Sequence, residues 1–151
     1  MKRRTISFLT LFCAALLALT ACGKIEEADN VITDPEGITV ELTWTNSASD
    51  PLDGANLDLY VNQNFNSLLS STRYYNYETI TITPGILNDG TYDLSVFVSS
   101  ISQVTNYTLT ISGISIEKTY TRSFGPINAN DKYASLKPLS LTVSGTEYTL
   151  Y

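Results

Sequence analysis

Four residues whose side chains offer oxygen atoms as metal ligands lie close together in the sequence, in the segment DPLDGANLD. They are Asp50, Asp53, Asn56 and Asp58, and Gly54 lies among them. Calcium prefers several oxygen ligands on a loop that can bend, and glycine allows the bend. The spacing is not that of an EF-hand. The segment therefore allows two interpretations, a calcium site or a polar loop whose side chains cap turns.

A second cluster combines aromatic rings with a guanidinium group, in the segment RYYNY. Exposed tyrosines in a loop can stack on sugar rings or anchor a protein partner. The alternative is that at least one ring covers the open end of a hydrophobic core. The predicted ligand-binding residues are Arg73, Tyr74, Tyr75 and Tyr77.

The residues for catalysis are mostly missing from this chain. It contains no histidine, which excludes Ser-His and Cys-His nucleophile pairs and ordinary zinc sites. Glycoside hydrolysis requires two carboxyl groups on opposite sides of the sugar, and Asp58 with Glu78 or Asp93 could form such a pair. Nothing in the sequence, however, determines the distance between the two groups. We therefore expect that the protein is not an enzyme and that it has no cofactor besides the candidate calcium ion.

The amino terminus carries a targeting pattern. The cations of Lys2-Arg3-Arg4 precede an apolar run from Phe8 to Leu19, and small residues follow. This order is typical of a secretory signal peptide. The run is shorter than the roughly 20 residues that span a bilayer. An uncleaved helical anchor or an ordinary secretory signal is the alternative.

The sequence Leu-Thr-Ala-Cys at residues 19–22 resembles the lipobox of bacterial lipoproteins, whose cysteine is acylated and becomes the first residue of the mature protein. The resemblance implies a signal peptide over residues 1–21 and a lipidated Cys22. Two or three acyl chains, such as palmitate, would anchor the protein stably in the membrane. The implied location is the bacterial cell envelope, on the periplasmic or the surface side of the outer membrane.

The net charge of the chain narrows the choice of partners. Cleavage removes the three cations Lys2, Arg3 and Arg4 and no acid, so the net charge of −6 falls by three to −9. An acidic surface argues against nucleic acid as a partner.

The two cysteines leave no disulfide in the mature chain, because Cys13 is removed with the signal peptide and Cys22 carries lipid. A hydrophobic core must stabilise the mature chain.

The elements that position these residues are predicted to be strands. Residues 22–36 are acidic and aperiodic, which is typical of a flexible tether, and Glu26, Glu27 and Asp29 are similar to an acidic surface-export signal. From Gly37 onward apolar residues alternate with polar ones, although Phe97 breaks the polar side of its segment. The alternating segments are 38–44, 57–61, 78–82, 92–98, 107–111, 114–124, 139–143 and 147–151.

A period of two places each apolar set on one face of a sheet, where it can pack against a second sheet. The predicted fold over residues 37–151 is therefore all-β, an antiparallel β-sandwich of about seven to nine strands. The stretch from Gly125 to Pro138 is the longest irregular one and is predicted to be a crossing loop.

The segment from Asn56 to Gly113 resembles the bacterial pre-peptidase C-terminal (PPC) domain. It runs NLDLYV, NSLLSST, YETITIT, DGTYDLSVFV and NYTLTISG, in the order of that family's strands and turns. The resemblance implies a jelly-roll-like sandwich that is non-catalytic and that aids secretion, substrate attachment or stability. Residues 114–151 extend beyond the family's closing strand.

These observations predict a lipid-anchored, extracytoplasmic, non-catalytic module that binds a polysaccharide, a protein or another envelope component. The alternative is a structural envelope protein or assembly subunit without a small ligand. An aromatic face beside the 74–77 loop would favour ligand binding. A long edge strand open to pairing would favour assembly by strand addition.

Overall fold

The structure is a computed structural model that describes residues 29–73, 75–114, 116–125 and 135–151. The predicted signal peptide, Cys22, the start of the tether, Tyr74 and most of the predicted crossing loop lie outside these residues. The described elements are β1 (Val31–Thr33), β2 (Ile38–Asn46), α1 (Pro51–Gly54), β3 (Ala55–Gln63), β4 (Asn66–Ser71), β5 (Tyr77–Ile82), β6 (Gly90–Ile101), β7 (Thr105–Ser112), β8 (Glu117–Phe124), β9 (Ser135–Ser144) and β10 (Glu147–Leu150). Within these ranges no helix has the length and apolar character needed to cross a membrane.

The strands form two antiparallel sheets. The six-stranded sheet has the order β1-β10-β9-β6-β3-β4, and the four-stranded sheet has the order β5-β2-β7-β8. The prediction of an all-β antiparallel sandwich is confirmed, with ten strands in the described part of the chain. The sequence patterns missed β1, which has only three residues, and β4, whose partner strand shifts register between Val61 and Asn62.

Alternating side chains from both sheets build the core. Leu57, Leu59 and Val61 of β3 are fully buried, as are Val40 and Leu42 of β2. Burial of such apolar surface is the main force that holds two sheets together. The one tryptophan adds a polar link, because Nε1 of Trp44 on β2 donates a hydrogen bond of 3.1 Å to the carbonyl of Ala55 on β3.

The folded domain begins earlier than the predicted boundary at Gly37. β1 pairs with β10, and Ile32 is 1% exposed in the core. The buried carboxylate of Asp34 accepts hydrogen bonds from the backbone N–H groups of Glu36, at 2.8 Å, and Ile114. The prediction of a flexible tether is therefore wrong for residues 31–36, since a three-residue strand is too short to show alternation.

Candidate functional site

The predicted calcium ligands are distributed over several elements. Asp50 is the N-cap of α1, and its Oδ1 accepts a hydrogen bond of 3.0 Å from the N–H of Leu52. Asp53 lies in α1, whereas Asn56 and Asp58 lie on β3. In the described part of the chain, no group of three or more Asp, Glu, His or Cys side chains could hold a metal ion. Asp50 thus caps a turn, as the polar-loop interpretation of this segment predicts, and calcium binding itself is untested.

The predicted aromatic loop does present rings to solvent. The side chains of Tyr75 and Tyr77 are 57% and 41% exposed, and their rings stack with centroids 5.8 Å apart and planes at 19°. Neither ring covers the core. Arg73 precedes this pair in the connection between β4 and β5, so the structure brings three of the four predicted ligand-binding residues to the edge of the four-stranded sheet.

Glu78 holds the end of this connection in place. Its side chain is fully buried, and the hydroxyl of Ser71 donates a hydrogen bond to Oε2 while accepting one of 3.3 Å from the N–H of Thr79. Oε1 has no hydrogen-bond partner in the described structure. Burial raises the pKa of the Glu78 carboxyl above its ordinary value, although hydrogen bonds from Ser71 and from the Arg73 backbone oppose this effect. The buried Glu78 thus links β5 to β4 through its hydrogen bond with Ser71.

A groove that the sequence patterns did not predict lies on the outer face of the six-stranded sheet. Its volume is about 440 Å³, within the usual range of ligand pockets, about 300–1,000 Å³. Side chains from four neighbouring strands and one turn line it: Tyr60, Asn62, Phe65, Ser67, Asp93, Phe97 and Lys137. They face outward because the apolar residues that alternate with them on β3 and β6 fill the core.

The floor of the groove has an aromatic half and a polar half. The rings of Tyr60 and Phe97 meet edge to face, with centroids 6.0 Å apart and planes at 77°. Beside them Asn62 lies opposite Asp93 in the β3–β6 register, and Nδ2 of Asn62 donates a hydrogen bond of 3.0 Å to Oγ of Ser95. Burial, together with the charges of Asp58 and Glu78, raises the pKa of the Tyr60 phenol. Tyr60 therefore keeps its proton at neutral pH and can donate it in a hydrogen bond.

Phe65 forms the rim at the tip of the β3–β4 hairpin. Its side chain is 96% exposed, and both residues of the two-residue turn Asn64-Phe65 have positive φ, 50° and 67°. Glycine is strongly preferred at the second position of such a turn, because a bulky side chain is strained there. Strain of this kind is typical of functional positions.

Lys137 and Asp93 form the opposite rim. Nζ of Lys137 lies 2.5 Å from Oδ2 of Asp93 and 5.5 Å from the centroid of the Phe65 ring. The lysine thus lies between a carboxylate and an aromatic ring. These contacts join β6, β9 and the β3–β4 turn across the groove.

A second cavity, of about 330 Å³, lies beside the buried Asp34. None of the described residues that line it is aromatic, and both carboxylate oxygens of Asp34 already accept backbone hydrogen bonds. The outer-face groove is therefore the stronger candidate for ligand binding.

Two features of the sequence point to the groove in retrospect. Phe97 places an aromatic ring on the polar side of β6, and Phe65 follows Asn64 where glycine would relieve the turn. No protein-family model, curated protein or solved structure matches this chain.

Proposed function

We propose that this chain is a lipid-anchored, extracytoplasmic, non-catalytic binding module, and that its outer-face groove binds a segment of polysaccharide. The observation that carries the proposal is the combination of aromatic rings and planar polar groups in one open groove. A sugar ring has apolar C–H faces and a hydroxyl edge. Aromatic side chains can stack on the faces, while amides and carboxylates can pair with the hydroxyls.

The lipobox resemblance at Cys22 supports the anchor, and the PPC resemblance supports a non-catalytic role. The carboxylates near the groove support binding rather than hydrolysis as well. Asp58 accepts a hydrogen bond of 2.5 Å from Ser99, Asp93 pairs with Lys137, and Glu78 is buried. A glycosidase needs one carboxyl group to protonate the leaving oxygen and a second to act on the other face of the sugar. Of these three carboxylates only Asp93 lines the groove, because Asp58 and Glu78 are buried, so the described residues do not place such a pair there.

The test is a panel of polysaccharides presented to the acylated protein in lipid nanodiscs. We expect at least one polysaccharide to bind, and Phe97→Ala to weaken that binding about tenfold or more, because truncation of an aromatic anchor has a large effect. Tyr75→Ala is the matched control, since Tyr75 is exposed at the edge of the other sheet. Absence of binding by the wild type, or an equal loss in both variants, would contradict the proposal.

The alternative is assembly with other envelope proteins, which one observation favours. In the described ranges β8 pairs with β7 on one side only, over its whole length of eight residues. An edge strand of this length can accept a further strand. Concentration-dependent oligomers in sedimentation, lost when Thr121→Pro removes a backbone donor from β8, would support this function.

A further inference from the structure

Resting on the proposed function, we infer that the groove selects a polysaccharide whose sugars carry protonated amino groups, such as a polymer of glucosamine. The first argument is the position of Lys137. Its ammonium group lies 2.5 Å from the Asp93 carboxylate and 5.5 Å from the centroid of the Phe65 ring. A carboxylate and an aromatic face are the two partners that bind an ammonium ion well. The lysine therefore occupies an ammonium site.

A ligand can take the place of this lysine. The side chains of Lys137 and Asp93 are 51% and 29% exposed, and an ion pair that is open to solvent contributes little to stability. The long, flexible stem lets the lysine head turn into water at small cost. A sugar ammonium held by stacking of its ring on Phe65 would then pair with Asp93.

The charge around the groove favours a cation. Among the described residues that line it, Lys137 is the one cation, and Asp93 already balances that charge. Asp58 is buried near the aromatic floor, 7% exposed, and its Oδ2 accepts a hydrogen bond from the neutral hydroxyl of Ser99. The whole chain is acidic, with a net charge of −6. The negative electrostatic potential of the protein would repel an anionic sugar such as a uronic acid and would attract a protonated amino sugar.

The experiment compares four tetrasaccharides by calorimetry with the acylated protein in nanodiscs. They are a glucosamine tetramer, its N-acetylated form, a glucose tetramer and a galacturonate tetramer. We expect the glucosamine tetramer to bind about tenfold more tightly than the N-acetylated form, and added salt to reduce that difference.

Two variants test the ammonium site itself. Asp93→Asn should abolish the preference for the free amine, because asparagine has nearly the same shape as aspartate but no negative charge. Lys137→Gln frees Asp93 and should strengthen binding of the glucosamine tetramer several-fold. Arg122→Gln is the control, because it makes the same change in net charge on an exposed residue of the four-stranded sheet. We expect no effect from it, and melting temperatures confirm that each variant is folded.

The outcomes separate this inference from the proposed function. Equal binding of the glucosamine, N-acetylated and glucose tetramers, or tighter binding of the galacturonate tetramer, would overturn the amino-sugar preference and leave polysaccharide binding intact. Equal strengthening by Lys137→Gln and Arg122→Gln would also overturn it, since overall charge would then be the cause. Failure of all four tetramers and of the wider polysaccharide panel would overturn both.

Discussion

Phe97 of β6 lies edge-on to Tyr60 of β3, with ring centroids 6.0 Å apart, on the outer face of the six-stranded sheet. Outward positions of an antiparallel sheet usually carry polar side chains. Here two rings form an apolar floor between Asn62 and Asp58, which gives the groove both kinds of surface that a sugar can contact. This arrangement underlies the proposed function and the predictions that follow.

Phe65→Gly should make the domain more stable and its binding weaker. Glycine adopts positive φ without strain, so we expect a gain of about 1 kcal/mol in the free energy of unfolding. The same change removes the rim of the groove and should weaken polysaccharide binding about tenfold or more. Urea unfolding and calorimetry measure the two effects.

The control for Phe65→Gly is the reverse change in another turn. Gly145 also has positive φ, 60°, and lies between β9 and β10 with open space around it. Gly145→Ala should lower stability by about 1 kcal/mol and leave binding unchanged. If Phe65→Gly lost stability, or if both variants changed binding equally, Phe65 would not be a strained binding residue.

Glu78→Gln should change how stability depends on pH. Burial raises the Glu78 pKa above its ordinary value of 4.5 in the folded state, so the folded state holds this proton more tightly than the unfolded state. The contribution of Glu78 to stability is therefore fully present below about pH 4.5 and is lost as the pH rises through the higher folded-state pKa. Glutamine stays neutral, so the variant should be more stable than the wild type at pH 7.

The measurement is urea unfolding of both proteins from pH 3.5 to pH 8. At each pH the free energy of unfolding of the wild type is subtracted from that of the variant. The subtraction removes the contributions of the other carboxylates, which are the same in both proteins. A constant difference across this range, or a variant that is less stable at pH 7, would show that the Glu78 carboxylate is not penalised by burial.

Calcium should leave the melting temperature unchanged. Asp50 already caps α1, and Asp58 already accepts a hydrogen bond from Ser99. A ligand that binds the folded state raises its stability in proportion to RT ln(1 + [L]/Kd). Scans in EDTA and in millimolar calcium test this point directly. A clear increase with calcium, lost in Asp53→Asn, would instead support the metal site predicted from the sequence.

Cys22→Ser should release the protein from the membrane. Acyl chains are the proposed anchor, and serine cannot form the thioether bond that joins the lipid to a lipobox cysteine. Radiolabelled palmitate incorporation and membrane fractionation give the two readouts. The variant should lose both the label and its membrane association, whereas Cys13→Ser, within the proposed signal peptide, should retain both.

Alternation in the sequence was enough to predict the sandwich, since eight segments with a period of two correspond to eight of the ten described strands. It was not enough for β1, because three residues are too few to show a period. β4 was not predicted either, because the register shift opposite Val61 and Asn62 interrupts its alternation of apolar and polar residues and leaves Leu68 exposed. Both missed strands lie at edges of the six-stranded sheet.

The groove depends on register, which the sequence alone does not determine. Tyr60 and Phe97 are far apart in the chain and meet because β3 pairs with β6, with Asp58 opposite Phe97 and Tyr60 opposite Ser95. Residues that are close in sequence are separated for the same reason. Asp50 caps a helix, while Asp58 lies within β3 and alternates with core residues.

The most direct test of the central claim is an NMR titration of the Cys22→Ser protein with the polysaccharide that binds best. We predict that amide shifts change most on β3, β6 and the Asn64-Phe65 turn, with saturation at one ligand segment per domain. Changes confined to residues 72–77 of the other sheet's edge, or no changes at all, would contradict a binding site in the outer-face groove.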